Sequence, residues 1–416
     1  MKARALALIT LVGIVATACQ GGSQAGTAAL RNAQIVIASD LPVGAYVRDV
    51  LPLQHAIQLA VDQQGTIAGF TLGYQPFDDS LAATAQEMKG IQNVKQMRDD
   101  SRVLGMIGPY TSNVVPAEIR LSSAVPLAML SPSNTNVCNT ISAPYCDPQP
   151  ATLRAAGTSN NYFRLAPPDF VQGRAMARFA FNHLQVKRVA AFNEWDNPAE
   201  GDLIVDSFKR ELEKLGGVLV LWQERALGTP RDFTDFLRKA EAMGADAVYA
   251  VSAGDNICGI RPQMKTLLPG AAFLATDGIG VNDPACIDDA KGNADGTVAT
   301  FSDVDPTHSK DLATQGVVNA YLRAYPNTTD IPIYTFAAYD CARILIEAIK
   351  RAIQAGNGTL PSRAQVVSEI ARGQFPGGVT GTYSFDANGD AVAPLMSIYK
   401  IENGHWVYGQ QIDAGP

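Results

Sequence analysis

Two polar loops carry the residues best suited to gripping a small ligand. Tyr110-Thr111-Ser112-Asn113 follows the apolar run Val103–Ile107, and Ser131-Pro132-Ser133-Asn134-Thr135-Asn136 follows Pro126–Leu130. Between them Pro116–Ser123 has helical composition, with Pro116 tolerated in a first turn. Hydroxyls, amides and the free N–H groups of a helix start therefore converge, which suits a carboxylate. Taken alone, the same loops also read as ordinary turns and caps. A third position, Asp277 in Ala275-Thr276-Asp277-Gly278-Ile279-Gly280, ends another apolar strand. Set opposite Ser112 and Thr135, its carboxylate would pair with an ammonium group. A zwitterionic α-amino acid fits that pattern, each charge desolvated with a complement, although Asp before Gly is also a common turn. Tyr249–Asp255 ends a further strand and either lines the same cleft or simply turns.

Other chemistries lack their residues. No Gly-rich loop ends in Lys-Ser/Thr, no dinucleotide fingerprint follows a strand and no Gly-x-Ser-x-Gly elbow occurs. The four histidines, His55, His183, His308 and His405, have no ligand spacing, so no metal, cofactor or His-based catalysis is expected. A net charge of −7 leaves no basic face for nucleic acid.

The elements that must position these loops alternate. Strands are expected at Ile35–Ala38, Phe70–Tyr74, Val103–Ile107 and Pro126–Leu130. The helix through Leu53, Ala56, Ile57, Ala60 and Val61 stops at Gly65, and a second covers Ala82–Met97. Residues 138–161 break the rhythm as a connection. A second unit then runs through helices Gln172–His183, Leu203–Leu215, Phe233–Met243 and Pro262–Leu267, with strands Val189–Phe192, Val218–Trp222, Ala247–Val251 and Ala272–Ala275. Such alternation implies parallel sheets covered on both faces, an α/β fold in two lobes with a cleft between. After Gly296 come helices Ser309–Ala324, Phe336–Ala355 and Ala364–Arg372, a strand Gly381–Phe385, and a hairpin of Met396–Ile401 and Trp406–Tyr408 that caps one sheet.

The first residues read as an export signal: Lys2 and Arg4, the short apolar run Leu6–Val15, then Ala16-Thr17-Ala18 before Cys19. Small residues before a cysteine resemble a lipobox, and Gln20–Thr27 resembles a tether, so lipid on Cys19 is favoured over release of a soluble chain. Export permits disulfides. Cys138 with Cys146 and Cys258 with Cys286 are plausible pairs, while Cys341, in a buried helical pattern, reads as a packed thiol. Five cysteines leave other pairings open.

In order along the chain, IVIASDLPVGAYVRDVLPLQHAIQLAVDQ, VLGMIGPYTSN, LAMLSPSNTN, YFRLAPPDFVQGRAMARFAF, LATDGIG and GTYSFDANGD resemble the branched-chain amino-acid binding proteins of bacterial importers, which are type I periplasmic binding proteins. The resemblance implies two Rossmann-like lobes with parallel sheets, joined by three crossing strands and closing on the ligand by a hinge. It implies a signal peptide at 1–18, a tether at 19–30, one lobe from 31–165 with 302–391 and the other from 166–301 with 392–416. It places the carboxylate-holding serine on Ser112, the following loop on Ser133 and Thr135, and the ammonium-binding acid on Asp277, with Tyr110 beside them. Two aromatics usual in the family are missing. One position falls at Ala253 or Gly254, and the other at Pro198, although Trp195 stands nearby. The implied activity is ligand delivery to a membrane permease of the ABC type without catalysis. A signalling receptor as partner, or an amide, urea or aromatic acid as ligand, remains an alternative.

Overall fold

The computed structural model describes residues 30–81, 84–195, 198–225, 231–252, 255–279, 284–328 and 331–415. The expected signal peptide and Cys19 lie outside them, as do Ala253 and Gly254. Strand β1 (Ile35–Asp40) is buried on both faces and α1 (Val47–Gln64) follows it. The buried stripe of α1 is Val50, Leu53, Ala56, Ile57, Ala60 and Val61, and the helix ends at Gly65, whose φ of 63° glycine adopts readily. Next come β2 (Thr66–Ile67), β3 (Phe70–Phe77), α2 (Thr84–Asp99), β4 (Val103–Ile107), α3 (Val115–Ser123) and β5 (Ala128–Ser131). A short strand β6 (Tyr162–Arg164), which the sequence does not announce, closes this sheet in the order β2-β3-β1-β4-β5-β6.

The second sheet collects β7 (Arg188–Glu194), β8 (Val218–Glu224), β9 (Ala247–Ser252), β10 (Ala272–Ala275), β11 (Thr297–Phe301), β12 (Leu395–Glu402) and β13 (His405–Asp413). Its order is β13-β12-β11-β10-β9-β7-β8, parallel except for the terminal hairpin, which caps it as expected. The longer helices of this half are α4 (Phe170–His183), α5 (Pro198–Leu215), α6 (Thr234–Ala242) and α7 (Arg261–Leu267). Helices α8 (Leu312–Ala324), α9 (Thr335–Ala355) and α10 (Arg363–Arg372) return to the first half, where α9 packs against α1. Strand β11 was not expected, and the expected strand Gly381–Phe385 is instead a pair of isolated bridges, Phe375 to Tyr383 and Phe385 to Ala391. Tyr383 and Phe385 tuck into the core, which explains their alternation without a ladder.

Both sheets reverse direction once. Strand β1 lies between β3 and β4, and β7 lies between β8 and β9, so the carboxyl ends of those strands open a crevice in each half. The chain passes between the halves three times, after β6, after β11 and before β12. Arg164 stitches two of these crossings together. Its fully buried guanidinium donates to Asp390 Oδ1 at 2.6 Å, to the carbonyls of Asn134 and Asn136, and to Thr140 Oγ1. Both expected disulfides are formed, Cys138–Cys146 and Cys258–Cys286, and Cys341 is a buried free thiol.

Candidate functional site

The first wall grows from the end of β4. Gly108 adopts φ +123°, and a Cβ there would stand 2.3 Å from the Asp40 carbonyl oxygen, so only glycine lets β4 turn this close to β1. The turn brings the loop beginning at Tyr110 against the loop after β5. The Tyr110 carbonyl accepts from Ser133 Oγ at 2.8 Å and Asn134 Nδ2 at 2.7 Å. Asn136 N approaches Ser112 Oγ at 3.5 Å, and Asn139 Nδ2 donates to the Ser112 carbonyl. The two loops predicted to act together are therefore bonded to each other. Ser133 spends its hydroxyl on holding the loop shape. Ser112 keeps the freer hydroxyl.

The second wall is built from α4 and the end of β10. Gln172 reaches Asp277 with both ends of its amide: Nε2 donates to Asp277 Oδ1 at 2.7 Å, and Oε1 accepts from Asp277 N at 3.0 Å. Thr300 Oγ1 also donates to Gln172 Oε1. Asp169, one turn earlier and buried, receives Gln172 Nε2 at 3.2 Å and a hydrogen bond from Thr135. Its N–H donates to the Thr135 carbonyl at 2.9 Å. Thr135, Asp169, Gln172 and Asp277 thus form one continuous chain across the cleft, linking the first-half loop to the acid of the second half.

This region is rich in negative charge. Burial pushes the Asp277 carboxyl up to about 6, against the pull of its bonds from Gln172 and Ser302. Burial raises Asp169 well above the ordinary carboxylate range, and the neighbouring charges of Asp277 and Glu200 add to it. Among the described residues, no Lys or Arg forms an ion pair with Asp169 or Asp277. Glu200 in the first turn of α5 accepts from Val137 N at 3.0 Å and Asn136 Nδ2 at 3.1 Å, a second tie between the halves. Tyr334, just before α9, adds an aromatic wall. Its ring meets Tyr110 edge-on at 6.2 Å, and burial followed by the charge of Asp277 holds its phenol protonated. Its left-handed backbone (φ 63°) is fixed by its N–H donating to Asp303 Oδ2 at 2.5 Å.

Of the candidate residues, Tyr110, Ser112, Ser133, Thr135 and Asp277 all belong to this connected network. Trp195 directly follows β7 with its N–H on Asn193 Oδ1, and its half-buried ring packs on the second-half core. Asp169, Gln172, Glu200 and Tyr334 were not singled out from sequence. Asp169 and Gln172 sit in the segment YFRLAPPDFVQGRAMARFAF, where Asp before an amphipathic helix reads as a cap. Cys341 offers no nucleophile, since burial and then the Asp340 charge hold its thiol protonated. No group of three or more His, Cys, Asp or Glu that could hold a metal lies among the described residues.

A family model described as periplasmic binding protein matches residues 44–405. A comparison with curated proteins gives no match. Solved structures give several. One is a leucine binding protein, LivK, from Thermotoga maritima MSB8, 22% identical, with a TM-score of 0.66 over 91% of this chain and 99% of that one. Another is an ABC transporter substrate-binding protein from Desulfitobacterium hafniense in complex with Leu, 22% identical, with a TM-score of 0.70 over 90% and 99%. A third, a solute binding protein of an ABC transporter from R. palustris in complex with benzoate, is 18% identical, with a TM-score of 0.62 over 92% and 96%. These likenesses establish the type I periplasmic binding protein fold.

Proposed function

The chain belongs to the periplasmic binding protein family, and from that premise we propose that it captures an amino acid between its lobes and delivers it to an ABC permease. One observation carries the choice of ligand: Asp277 is aimed by Gln172, and among the described residues no basic side chain pairs with it. Buried carboxylates without a cation are costly, and a ligand ammonium group supplies that cation. The ligand carboxylate is assigned to Ser112 and the N–H groups of the two first-wall loops. Tyr110 and Tyr334 meet the side chain. Solved relatives in complex with Leu and with benzoate show that this fold serves both amino and aromatic acids. An aromatic acid has no positive end, so the acidic second wall favours the amino acid. Closure follows from differential affinity, the ligand binding both walls only when they are near. The protein performs no chemistry on this reading.

Calorimetric titration of Leu, Ile, Val, short amides and benzoate tests the assignment. An amino acid is expected to bind and benzoate is not. Asp277→Ala should weaken amino-acid binding about ten- to a hundredfold, the scale of a lost charged hydrogen bond. Unchanged affinity in that variant sinks the reading. Lipid on Cys19 is proposed from the motif around it, with mass spectrometry of the membrane-extracted chain as the check. A signalling receptor in place of a permease is separated by crosslinking in membranes.

A further inference from the structure

Beside the three crossings a second hollow of about 350 Å³ opens, walled by both lobes. Its floor is the segment from Asp303 to His308. The β12–β13 hairpin provides Tyr399, Trp406 and Tyr408 on one side, and Phe336 of α9 faces them. Ser112, Thr135, Asp169 and Asp277 take no part in the lining, so this is not the cleft described above. Tyr334 stands between the two regions, its ring 6.2 Å from Tyr110 and 5.9 Å from Phe301.

The lining has a definite chemistry. The Tyr408 ring is near-perpendicular to Tyr399 (5.8 Å, 79°) and stacks on His308 (4.9 Å, 12°), giving aromatic surfaces in more than one orientation. Two carboxylates, Asp303 and Asp305, share the hollow, and among the described residues no Lys or Arg lines it, the basic group present being His308, whose Nε2 lies 3.9 Å from Asp305 Oδ2. Asp305 is already well supplied, accepting from Thr307 N and Oγ1 and from Tyr399 OH. Among the described residues Asp303 takes the N–H of Tyr334 and that of Val304, which leaves lone pairs of its carboxylate unused; burial pushes that carboxyl up to about 7, so it carries its charge above that pH. Aromatic faces present negative charge to a cation, and a carboxylate completes the field. An anion would meet two carboxylates. A neutral apolar guest would bury Asp303 further without a partner.

We propose that this hollow is a second ligand site, for a small organic cation of the methylated-ammonium class. Asp303 faces the charge, and Tyr399, Trp406 and Tyr408 pack on the methyl groups. The site is distinct from the amino-acid cleft and adjoins it through the bond between Asp303 and Tyr334.

Titration of the full chain with tetramethylammonium chloride, followed by tryptophan fluorescence and with sodium chloride as the ionic-strength control, tests the site. Wild type should give a saturable change that sodium chloride does not reproduce. Asp277→Ala should keep it, because the cleft is elsewhere. Tyr408→Ala, a change at a half-buried position of the edge strand, and Asp303→Asn should each weaken it about tenfold. A response matched by sodium chloride, or one lost in Asp277→Ala and intact in Tyr408→Ala, overturns the assignment.

Discussion

Gln172 grips Asp277 at two points, donating from Nε2 to the carboxylate at 2.7 Å and accepting the backbone N–H at Oε1 at 3.0 Å. The acid is thereby aimed and kept from rotating. Its carboxyl, raised by burial to about 6, is ionised above that pH and neutral below it. Only the ionised form pairs with an ammonium group. Amino-acid affinity is therefore expected to be flat above about pH 6 and to fall about tenfold per unit below it. Titrations between pH 4.5 and 8 check this, and a flat profile across that range contradicts it. Gln172→Leu should lower affinity by about tenfold while leaving the fold intact, since it removes the aim and not the charge.

Glu200 reaches across from α5 to hold Asn136 and Val137 of the opposite loop. These contacts exist only while the halves are near. Glu200→Ala should shift the ligand-free population toward an open form, seen as a larger radius of gyration in small-angle scattering. Ligand affinity should drop by about three- to thirtyfold, one to two hydrogen bonds' worth.

Arg164 and Asp390 lie at the base of the crossings, the guanidinium without solvent exposure. Replacing the arginine leaves an uncompensated buried acid. Arg164→Leu is expected to cost roughly 3–5 kcal/mol in urea unfolding. Arg164→Leu combined with Asp390→Leu should recover part of that loss.

Beneath the first wall, Asp40 and Glu118 are fully buried carboxyls lying against each other. Among the described residues no basic side chain pairs with either, so a proton held between them satisfies the contact. Burial raises Asp40 to about 7, moderated by the bond to Glu118 and raised again by Asp79; Glu118 lies well above its ordinary value for the same first reason. The unfolded chain loses these protons near pH 4, whereas the folded one keeps them. Stability is thus fully present below about pH 4 on this account and is lost as pH rises to about 7, by on the order of 4 kcal/mol. Glu118→Gln, which donates to Asp40 without titrating, should flatten that decline in denaturation measured at pH 4.5 and 7.5.

Much of the architecture was legible because buried parallel strands read as short apolar runs and amphipathic helices repeat near 3.6 residues. Strand β6 has only three residues and β11 is Thr-Val-Ala-Thr-Phe, too brief and too mixed for that signal. Ser112 and Asp277 could be singled out because each lies in the short polar segment after an apolar strand. Asp169 and Gln172 gain their contacts from where α4 meets β10 and β11 in space, and no local spacing records such a meeting. Ser133 lies in the expected loop with its hydroxyl turned to the Tyr110 carbonyl, a direction that local sequence does not record.

The two disulfides have a consequence for motion. Cys138–Cys146 closes within one lobe and Cys258–Cys286 within the other, and neither thread ties the two bodies together. Oxidation outside the cytoplasm would therefore harden each jaw while leaving the bite free, so that a change in redox state alters durability before it alters grip.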